Sequence, residues 1–294
     1  MKKIRVVLDW FANTNHTGIL LAQKRGYFAR AGLDVNIHGA VHGTMNLDET
    51  DIVLGPQISM LEQLEKGNNL VAVATLTQRC DSGLVSLKED GITSLRYLEG
   101  KRLTHWAPPW FHAVVGHAVA LDGGDYSKIR LVPMDVGDIV STLGALADAI
   151  WVYENWECQE LLDAGKEINF IRLADVSPLF DFCAPCIAAT QDFAENHPGE
   201  LRIFLSELAR AYTEAANRPE VVLEVKDDMP PVSDAMLLRS QKHLATILLD
   251  ENGNWGDIGP ERWNRMADWM VENGFYDRRR PNEFSNEFLP ADKI

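Results

Sequence analysis

Three side chains able to recognise a flat polar ring stand close together near the start of the chain, within residues 9–16. Trp10 offers an indole face for stacking, while Asn13 and His16 offer hydrogen-bond donors and acceptors. A segment of this composition can hold a small aromatic heterocycle. Structural alternatives stay open, since Trp10 could lie on the rim of a domain and His16 could cap the following helix.

Six more side chains of similar chemistry follow segments that read as β-strands: Gln57, Trp106, Trp110, His112, Glu154 and Trp156. With the first three, they are the candidate ligand-binding residues. Stacking on an aromatic side chain contributes about 1–3 kcal/mol per base in nucleic-acid sites, and a carboxylate such as Glu154 can pair with an exocyclic amine. These residues also have structural alternatives. Gln57 could be a turn residue, and Trp110 could pack against the helix that follows it. Glu154 could be a carboxylate that stabilises a helix N-terminus.

A strand–helix–strand unit at residues 4–39 positions the first cluster. The β-branched run 4–8 predicts a strand, the helical spacing of apolar residues in 17–23 predicts a helix, and alternation over 33–37 predicts a second strand. Such a unit implies a parallel pair of strands. In open α/β sheets, ligands lie beyond the carboxyl ends of the strands, and residues 9–16 fall at that point.

The remainder of the chain repeats the strand–helix alternation and then becomes helical. Predicted strands at 51–54 and 70–77 continue the first series, and a second series begins with a strand at 102–106. Amphipathic helices follow from residue 198, and the tail from residue 276 is expected to wrap the surface.

This order predicts an α/β fold of two doubly wound lobes joined by two strands. Lobe one comprises residues 1–85 plus 186–294, with the C-terminal helices packed on it, and lobe two comprises residues 86–185. Two lobes joined in this way leave a cleft that closes on its ligand by hinge motion.

Composition limits the classes of partner. The 294 residues carry 43 acidic and 28 basic side chains, for a net charge of −15. This acidity argues against a nucleic-acid partner, which requires basic patches. No apolar run approaches the roughly 18 residues of a transmembrane helix, so direct membrane insertion is not expected. Without an evident signal peptide, we expect a cytoplasmic protein if the chain is full length and a periplasmic or cell-surface protein if it is a trimmed mature form.

Four cysteines, at positions 80, 158, 183 and 186, form no dense disulfide framework. Cys183 and Cys186 make a C-x-x-C pair, which can be redox-active or bind metal. Two buried thiols in a returning strand are the favoured interpretation, because a zinc site needs two more suitably spaced ligands. The histidines at 105, 112 and 117 lack chelating spacing, so we predict no metal site.

A long motif runs through the opening unit. LDWF-x-N-x-NH-x-G spans residues 8–18, and A-x-x-x-GYF-x-x-x-GLDV spans residues 22–35. The motif resembles the type II periplasmic-binding-protein branch that handles the thiamine pyrimidine, which includes substrate-binding proteins of ABC transporters and hydroxymethylpyrimidine synthases. The resemblance continues more loosely through most of the first 215 residues. It implies that a glutamate near Glu154 pairs with the aminopyrimidine.

The chain departs from the synthases where their chemistry resides. In the synthases that the chain resembles, the segment matching the one after the strand at 51–54 carries a lysine that holds pyridoxal phosphate and a histidine that is consumed as substrate. Here the segment reads Gly55-Pro56-Gln57-Ile58-Ser59. The loop at 105–110 also lacks the glycine of the synthases' phosphate loop. Without an amine for a Schiff base or a nest of N–H groups for phosphate, we predict no cofactor.

The sequence therefore predicts a substrate-binding protein for a thiamine pyrimidine precursor or a related small aromatic heterocycle. Its expected role is uptake in thiamine salvage, with an ABC permease as candidate partner. One alternative is a cytoplasmic enzyme of thiamine pyrimidine biosynthesis that lacks the usual lysine and histidine. Another is a cytoplasmic sensor or carrier. Binding without catalysis is the favoured interpretation.

Overall fold

The computed structural model describes residues 1–39, 47, 49–105 and 108–291, the side chain of His105 excepted. Within this range the chain forms two α/β units, each with a five-stranded sheet. The first unit is Met1–Arg79 with Phe182–Ile294, and the second is Cys80–Asp181. The first crossing precedes residue 85 because residues 82–87 form a strand of the second sheet.

The first unit opens with the strand–helix–strand arrangement that the sequence predicts. Its elements before the crossing are β1 (Lys2–Val7), α1 (Thr17–Lys24), α2 (Tyr27–Arg30), β2 (Leu33–His38), β3 (Ile52–Gly55), α3 (Gln57–Glu65) and β4 (Leu70–Thr75). β1 pairs in parallel with β2 and β3. Every residue of β4 is buried, as expected for an apolar strand covered on both faces.

The second unit is a mixed sheet with the strand order β7-β6-β8-β5-β9. Its elements are β5 (Ser82–Leu87), β6 (Arg102–His105), α4 (Pro109–Leu121), β7 (Arg130–Pro133), α5 (Ile139–Thr142), β8 (Ala149–Tyr153), α6 (Glu157–Asp163), β9 (Ile168–Arg172) and α7 (Leu173–Val176). β5 runs antiparallel to β8 and β9. Gly83 permits this pairing, because a Cβ there would lie 2.3 Å from the Ile171 carbonyl oxygen.

The chain then returns to the first unit as a central strand followed by helices: β10 (Cys186–Thr190), α8 (Gln191–Asn196), α9 (Pro198–Asn217), α10 (Asp234–Ala245) and α11 (Pro260–Glu272). β10 lies antiparallel between β3 and β4, which gives the order β2-β1-β3-β10-β4. The apolar face of α9 packs on the opening unit, where Phe204 stacks on Phe28 with ring centroids 5.2 Å apart. Burial of such a stripe stabilises an amphipathic helix.

The C-terminal tail is anchored more deeply than a surface wrap. Phe284 forms a bridge with Ala72 on the outer edge of β4. The Glu283 carboxylate is buried and accepts hydrogen bonds from the Trp263 indole and the Tyr276 hydroxyl. Burial alone raises the pKa of Glu283, but hydrogen bonds from Arg279 and other donors bring the pKa below its usual value. The tail that the sequence predicts to wrap the surface is thus anchored to the first unit by buried contacts.

The helices also bear on the membrane question. Among the residues described, none of them combines the length and the apolar character needed to cross a bilayer.

Candidate functional site

Aromatic surface follows β1 at the carboxyl edge of the first sheet. Trp10 is half-buried and Phe11 is 39% exposed. Their ring centroids lie 5.7 Å apart at an interplanar angle of 49°. Such a tilted pair presents ring faces and edges to a flat ligand.

His16 lies beneath this segment and is fully buried. Its Nδ1 accepts a hydrogen bond of 3.1 Å from the backbone N–H of Asn13, and its Nε2 lies 2.8 Å from Oδ1 of Asp9. Because Nδ1 is an acceptor, the ring proton resides on Nε2 and is donated to Asp9. Both ring nitrogens are therefore engaged within the chain, and His16 orients a carboxylate instead of presenting itself to solvent.

Asp9 was not among the predicted site residues, yet its position suits ligand recognition. It follows β1 directly, its side chain is 18% exposed, and a buried imidazole fixes one carboxylate oxygen. The spacing Asp9…His16 is visible in the sequence, but periodicity alone does not connect two residues across a loop.

Asn13 serves the same turn. Its side-chain oxygen accepts a hydrogen bond of 2.9 Å from the Asn15 N–H and thereby caps the short 3₁₀ helix Thr14–His16. Its side chain is only 6% exposed. The structure thus gives Asn13 a capping role, with its oxygen occupied by the backbone.

Gln57 is buried at the start of α3 and joins three parts of the first unit. Its amide nitrogen donates to the Trp263 carbonyl at 2.7 Å, and its amide oxygen accepts from the Cys183 N–H at 3.2 Å. Its backbone N–H donates to the Cys183 carbonyl at 2.8 Å. With both ends of its amide bound to the protein, Gln57 supports the fold rather than a ligand.

Glu154 follows β8 at the carboxyl edge of the second sheet. Its Oε2 is ion-paired with Arg172, the last residue of β9, and the two side chains are 26% and 20% exposed. Asp81 supports the same turn, accepting from the Glu154 N–H at 3.1 Å through its carbonyl and from the Asn155 N–H at 3.1 Å through Oδ2. Arg172 and Asp81 were not predicted, because the antiparallel placement of β5 that brings them to this edge cannot be read from local sequence.

The predicted aromatic residues of the second unit occupy different environments. Trp110 is 6% exposed and meets Trp151 edge-on at 6.2 Å, and Trp156 is 1% exposed, so both are core side chains. His112 is half-buried, with Nδ1 2.8 Å from the Tyr126 hydroxyl. Burial raises the pKa of Tyr126 to about 12, so this hydroxyl stays protonated at neutral pH. Trp106 lies outside the described residues.

Two carboxyls of α6 are perturbed. Burial raises the pKa of Glu157 to about 7, although its Oε2 accepts from the Tyr153 N–H at 3.1 Å. Burial and the charge of Asp138 raise the pKa of Glu160 to about 7. These groups exchange protons near neutrality, which is a property of some functional sites and of some buried structural carboxyls.

The cysteine pair is buried and reduced. Cys183 and Cys186 are fully buried free thiols, and Cys186 donates to the Gly55 carbonyl at 3.1 Å. Burial raises the pKa of Cys186 well above its ordinary value, which disfavours the reactive thiolate. In the described part of the chain, no group of three or more His, Cys, Asp or Glu side chains could hold a metal ion.

Comparison with known proteins places these features in context. A formylaminopyrimidine-binding protein from Halalkalibacterium halodurans is 25% identical over 284 residues, covering 92% of this chain and 85% of that protein. A 4-amino-5-hydroxymethyl-2-methylpyrimidine phosphate synthase from Uromyces fabae is 23% identical over 310 residues, covering 98% and 87%. Binding proteins and synthases are thus both among the relatives.

Among solved structures, the periplasmic aliphatic sulphonate binding protein of Escherichia coli superimposes with a TM-score of 0.73 at 13% identity, covering 95% of this chain and 89% of that one. The expectation of a type II periplasmic-binding-protein fold is confirmed by this likeness. The family model described as NMT1/THI5 like matches residues 13–221, well over half of the sequence. The chain therefore belongs to the NMT1/THI5-like family.

Proposed function

We propose that the protein binds a thiamine pyrimidine precursor, an aminopyrimidine of the hydroxymethylpyrimidine or formylaminopyrimidine class. The observation that carries the proposal is the Asp9–His16 pair beside Trp10 and Phe11. An aminopyrimidine offers an aromatic face and an exocyclic NH₂. A carboxylate held in place by a buried histidine accepts from that amine, while the indole stacks on the ring.

The second unit, taken by itself, carries a carboxylate in a similar setting. Glu154 is a strand-end carboxylate held by Arg172, as Asp9 is held by His16. We assign an amine-accepting role to the Glu154 carboxylate, which Arg172 orients. A carboxylate of this kind suits a ligand with N–H donors better than it suits an anion such as a sulfonate, which it would repel.

The relatives support this ligand class. The binding protein from Halalkalibacterium halodurans and the synthase from Uromyces fabae are both named for substituted pyrimidines. We further propose that the protein works with an ABC permease as the substrate-binding component of an uptake system. This role accords with the periplasmic-binding-protein fold.

The synthase relatives favour an enzyme as the second candidate function. The pyridoxal phosphate that the resemblance implies for such enzymes does not fit the residues present. Residues 55–59 contain no lysine, and Gln57, which stands in that segment, is fully bonded inside the first unit. A synthase activity here would therefore require chemistry other than that Schiff base.

A thermal-shift panel tests the proposal. Aminopyrimidines at one hundred times Kd stabilise the native state by about 2.7 kcal/mol, which raises Tm by about 4 °C for a chain of this size. Trp10→Ala should remove most of this shift, while Tyr97→Ala, at an exposed aromatic residue of the second unit, should keep it. Stabilisation by alkanesulfonates or polyamines with no response to pyrimidines would refute the ligand class.

A further inference from the structure

A cavity of about 630 Å³ lies in the first unit and shares no lining residue with the candidate pyrimidine site. Its walls are formed by α9, by the loop at residues 250–258 and by the tail at residues 286–291. Small-molecule sites usually have volumes of roughly 300–1,000 Å³. The cavity is therefore large enough for an organic ligand.

The loop that forms one wall is held in a fixed shape. Oδ1 of Asp250 accepts hydrogen bonds from the Asn252 N–H at 2.8 Å and from the Asn254 N–H at 2.7 Å, which closes the turn. The Asn286 side chain bonds to both the N–H and the carbonyl of Ile258, each at 3.0 Å, and so ties the loop to the tail. Because two walls are fixed to each other in advance, less order has to be imposed when a ligand binds.

The charge of the cavity is negative and unbalanced. Asp250, Asp257 and Glu287 line it, and the described residues that line it include no lysine, arginine or histidine. Within the described part of the chain, the Asp257 carboxylate has no hydrogen-bond or ion-pair partner. Partial burial and the negative charge of Asp250 both raise the pKa of Asp257. A cation in the cavity would offset the repulsion between these two carboxylates.

An aromatic residue with an unsatisfied donor also lines the cavity. Trp255 is 4% exposed and stacks on Tyr212, with ring centroids 4.7 Å apart and an interplanar angle of 3°. The indole Nε1 of Trp255 is buried and has no acceptor among the described residues. Since buried polar groups are nearly always hydrogen-bonded, this donor favours a ligand that carries an acceptor atom.

We propose that this cavity is a second ligand site, which binds a small organic ammonium ion with an apolar chain and a neutral oxygen atom, such as an amino alcohol. The ammonium group donates to the Asp257 carboxylate, and the oxygen accepts from the Trp255 indole. The chain packs against Ala209 and Leu289, which line the same cavity. A bare metal ion fits less well, because no group of three or more His, Cys, Asp or Glu side chains in the described residues could hold one. Neither the cavity nor its charge depends on pyrimidine binding.

Titration calorimetry and ¹⁵N NMR of the wild-type protein test the site with 5-aminopentan-1-ol. This amino alcohol should bind and should shift one tryptophan indole signal, which the variant Trp255→Phe identifies by its loss. Two analogues each lack one group: pentane-1,5-diol lacks the positive charge, and pentylamine lacks the oxygen. Each analogue should bind at least about fivefold more weakly, because each loses one polar contact.

Variants of the lining separate the two contacts. Asp257→Asn removes the charge and should raise Kd for the amino alcohol about fivefold. Trp255→Phe keeps an aromatic ring against Tyr212 but removes the donor, so it should weaken binding of the amino alcohol and leave binding of pentylamine unchanged. The control Glu251→Gln changes an exposed acidic residue of the same loop that does not line the cavity, and Kd should stay the same. All three variants should keep the wild-type Kd for 4-amino-5-hydroxymethyl-2-methylpyrimidine.

Four results would overturn the proposal. The first is no binding of the amino alcohol, and the second is equal affinity for the amino alcohol and the diol. The third is unchanged affinity in Asp257→Asn. The fourth is displacement of the amino alcohol by 4-amino-5-hydroxymethyl-2-methylpyrimidine, which would place it in the pyrimidine site. If the pyrimidine does not bind at all, the proposed function fails, while the titrations with the amino alcohol still decide this second site.

Discussion

Replacing Glu154 by glutamine should separate ligand binding from support of the fold. The substitution removes the charge that pairs with Arg172 and that we propose to accept a hydrogen bond from the ligand amine. A hydrogen bond to a charged group contributes about 1.5–3 kcal/mol, so Kd for an aminopyrimidine should rise about 10- to 150-fold. The ion pair is partly buried, and its loss should lower the free energy of unfolding by about 1–2 kcal/mol.

A second substitution removes the stability effect without restoring the ligand contact. In Glu154→Gln with Arg172→Met, no unpaired guanidinium remains at the sheet edge, so most of the lost stability should return. The affinity should stay low, because the carboxylate is still missing. Asp175→Asn is the matched control: this carboxylate lies 3.8 Å from Arg172 and is 56% exposed, and its loss should change neither quantity much.

Isothermal titration calorimetry gives Kd, and urea unfolding gives the free energy of unfolding. Wild-type affinity in both Glu154→Gln and the double variant would refute the assignment of Glu154 to the ligand. Recovery of affinity in the double variant would show that Arg172, and not the carboxylate, controls binding.

Three further predictions concern residues that the structure assigns to the fold. Gln57→Ala should lower the free energy of unfolding by about 2–4 kcal/mol with unchanged ligand Kd, and a large rise in Kd would contradict its structural role. The pKa of Glu157 is raised from 4.5 to about 7, so its contribution to stability is complete below pH 4.5 and is lost as pH rises to about 7. The free energy of unfolding of Glu157→Gln, relative to that of the wild type, should therefore rise between pH 5 and 8, by no more than about 3 kcal/mol. The control Glu167→Gln, at an exposed residue, should show no such trend when melting is measured as a function of pH. Iodoacetamide should modify none of the four buried cysteines until the protein unfolds, and rapid labelling of native Cys186 would contradict its burial.

Local sequence predicted the framework of the fold well. The βαβ unit, the buried strand β4 and the amphipathic helix α9 follow from periodicity and composition. Amphipathic helices were predicted from residue 198, and the first of them is observed as Pro198–Asn217. Patterns of this length are reliable because each depends on many residues.

The site was harder to predict, because it depends on contacts between distant segments. Trp110 and Trp156 follow predicted strands, but Trp110 in the first turn of α4 and Trp156 just before α6 are both buried in the core. Arg172 reaches Glu154 only because β5 lies antiparallel between β8 and β9. Gln57 was predicted at a strand end, yet its amide is satisfied by groups more than a hundred residues away in sequence.

We expect strand-end carboxylates to recognise the exocyclic amine of a pyrimidine. The most direct measurement is calorimetric titration of the wild-type protein with 4-amino-5-hydroxymethyl-2-methylpyrimidine and with its analogue carrying oxygen in place of the 4-amino group. The analogue should bind about a hundredfold more weakly, because a carbonyl oxygen would replace the donor that faces a carboxylate. Equal affinity for the two compounds, or no binding of the amine, would contradict the account.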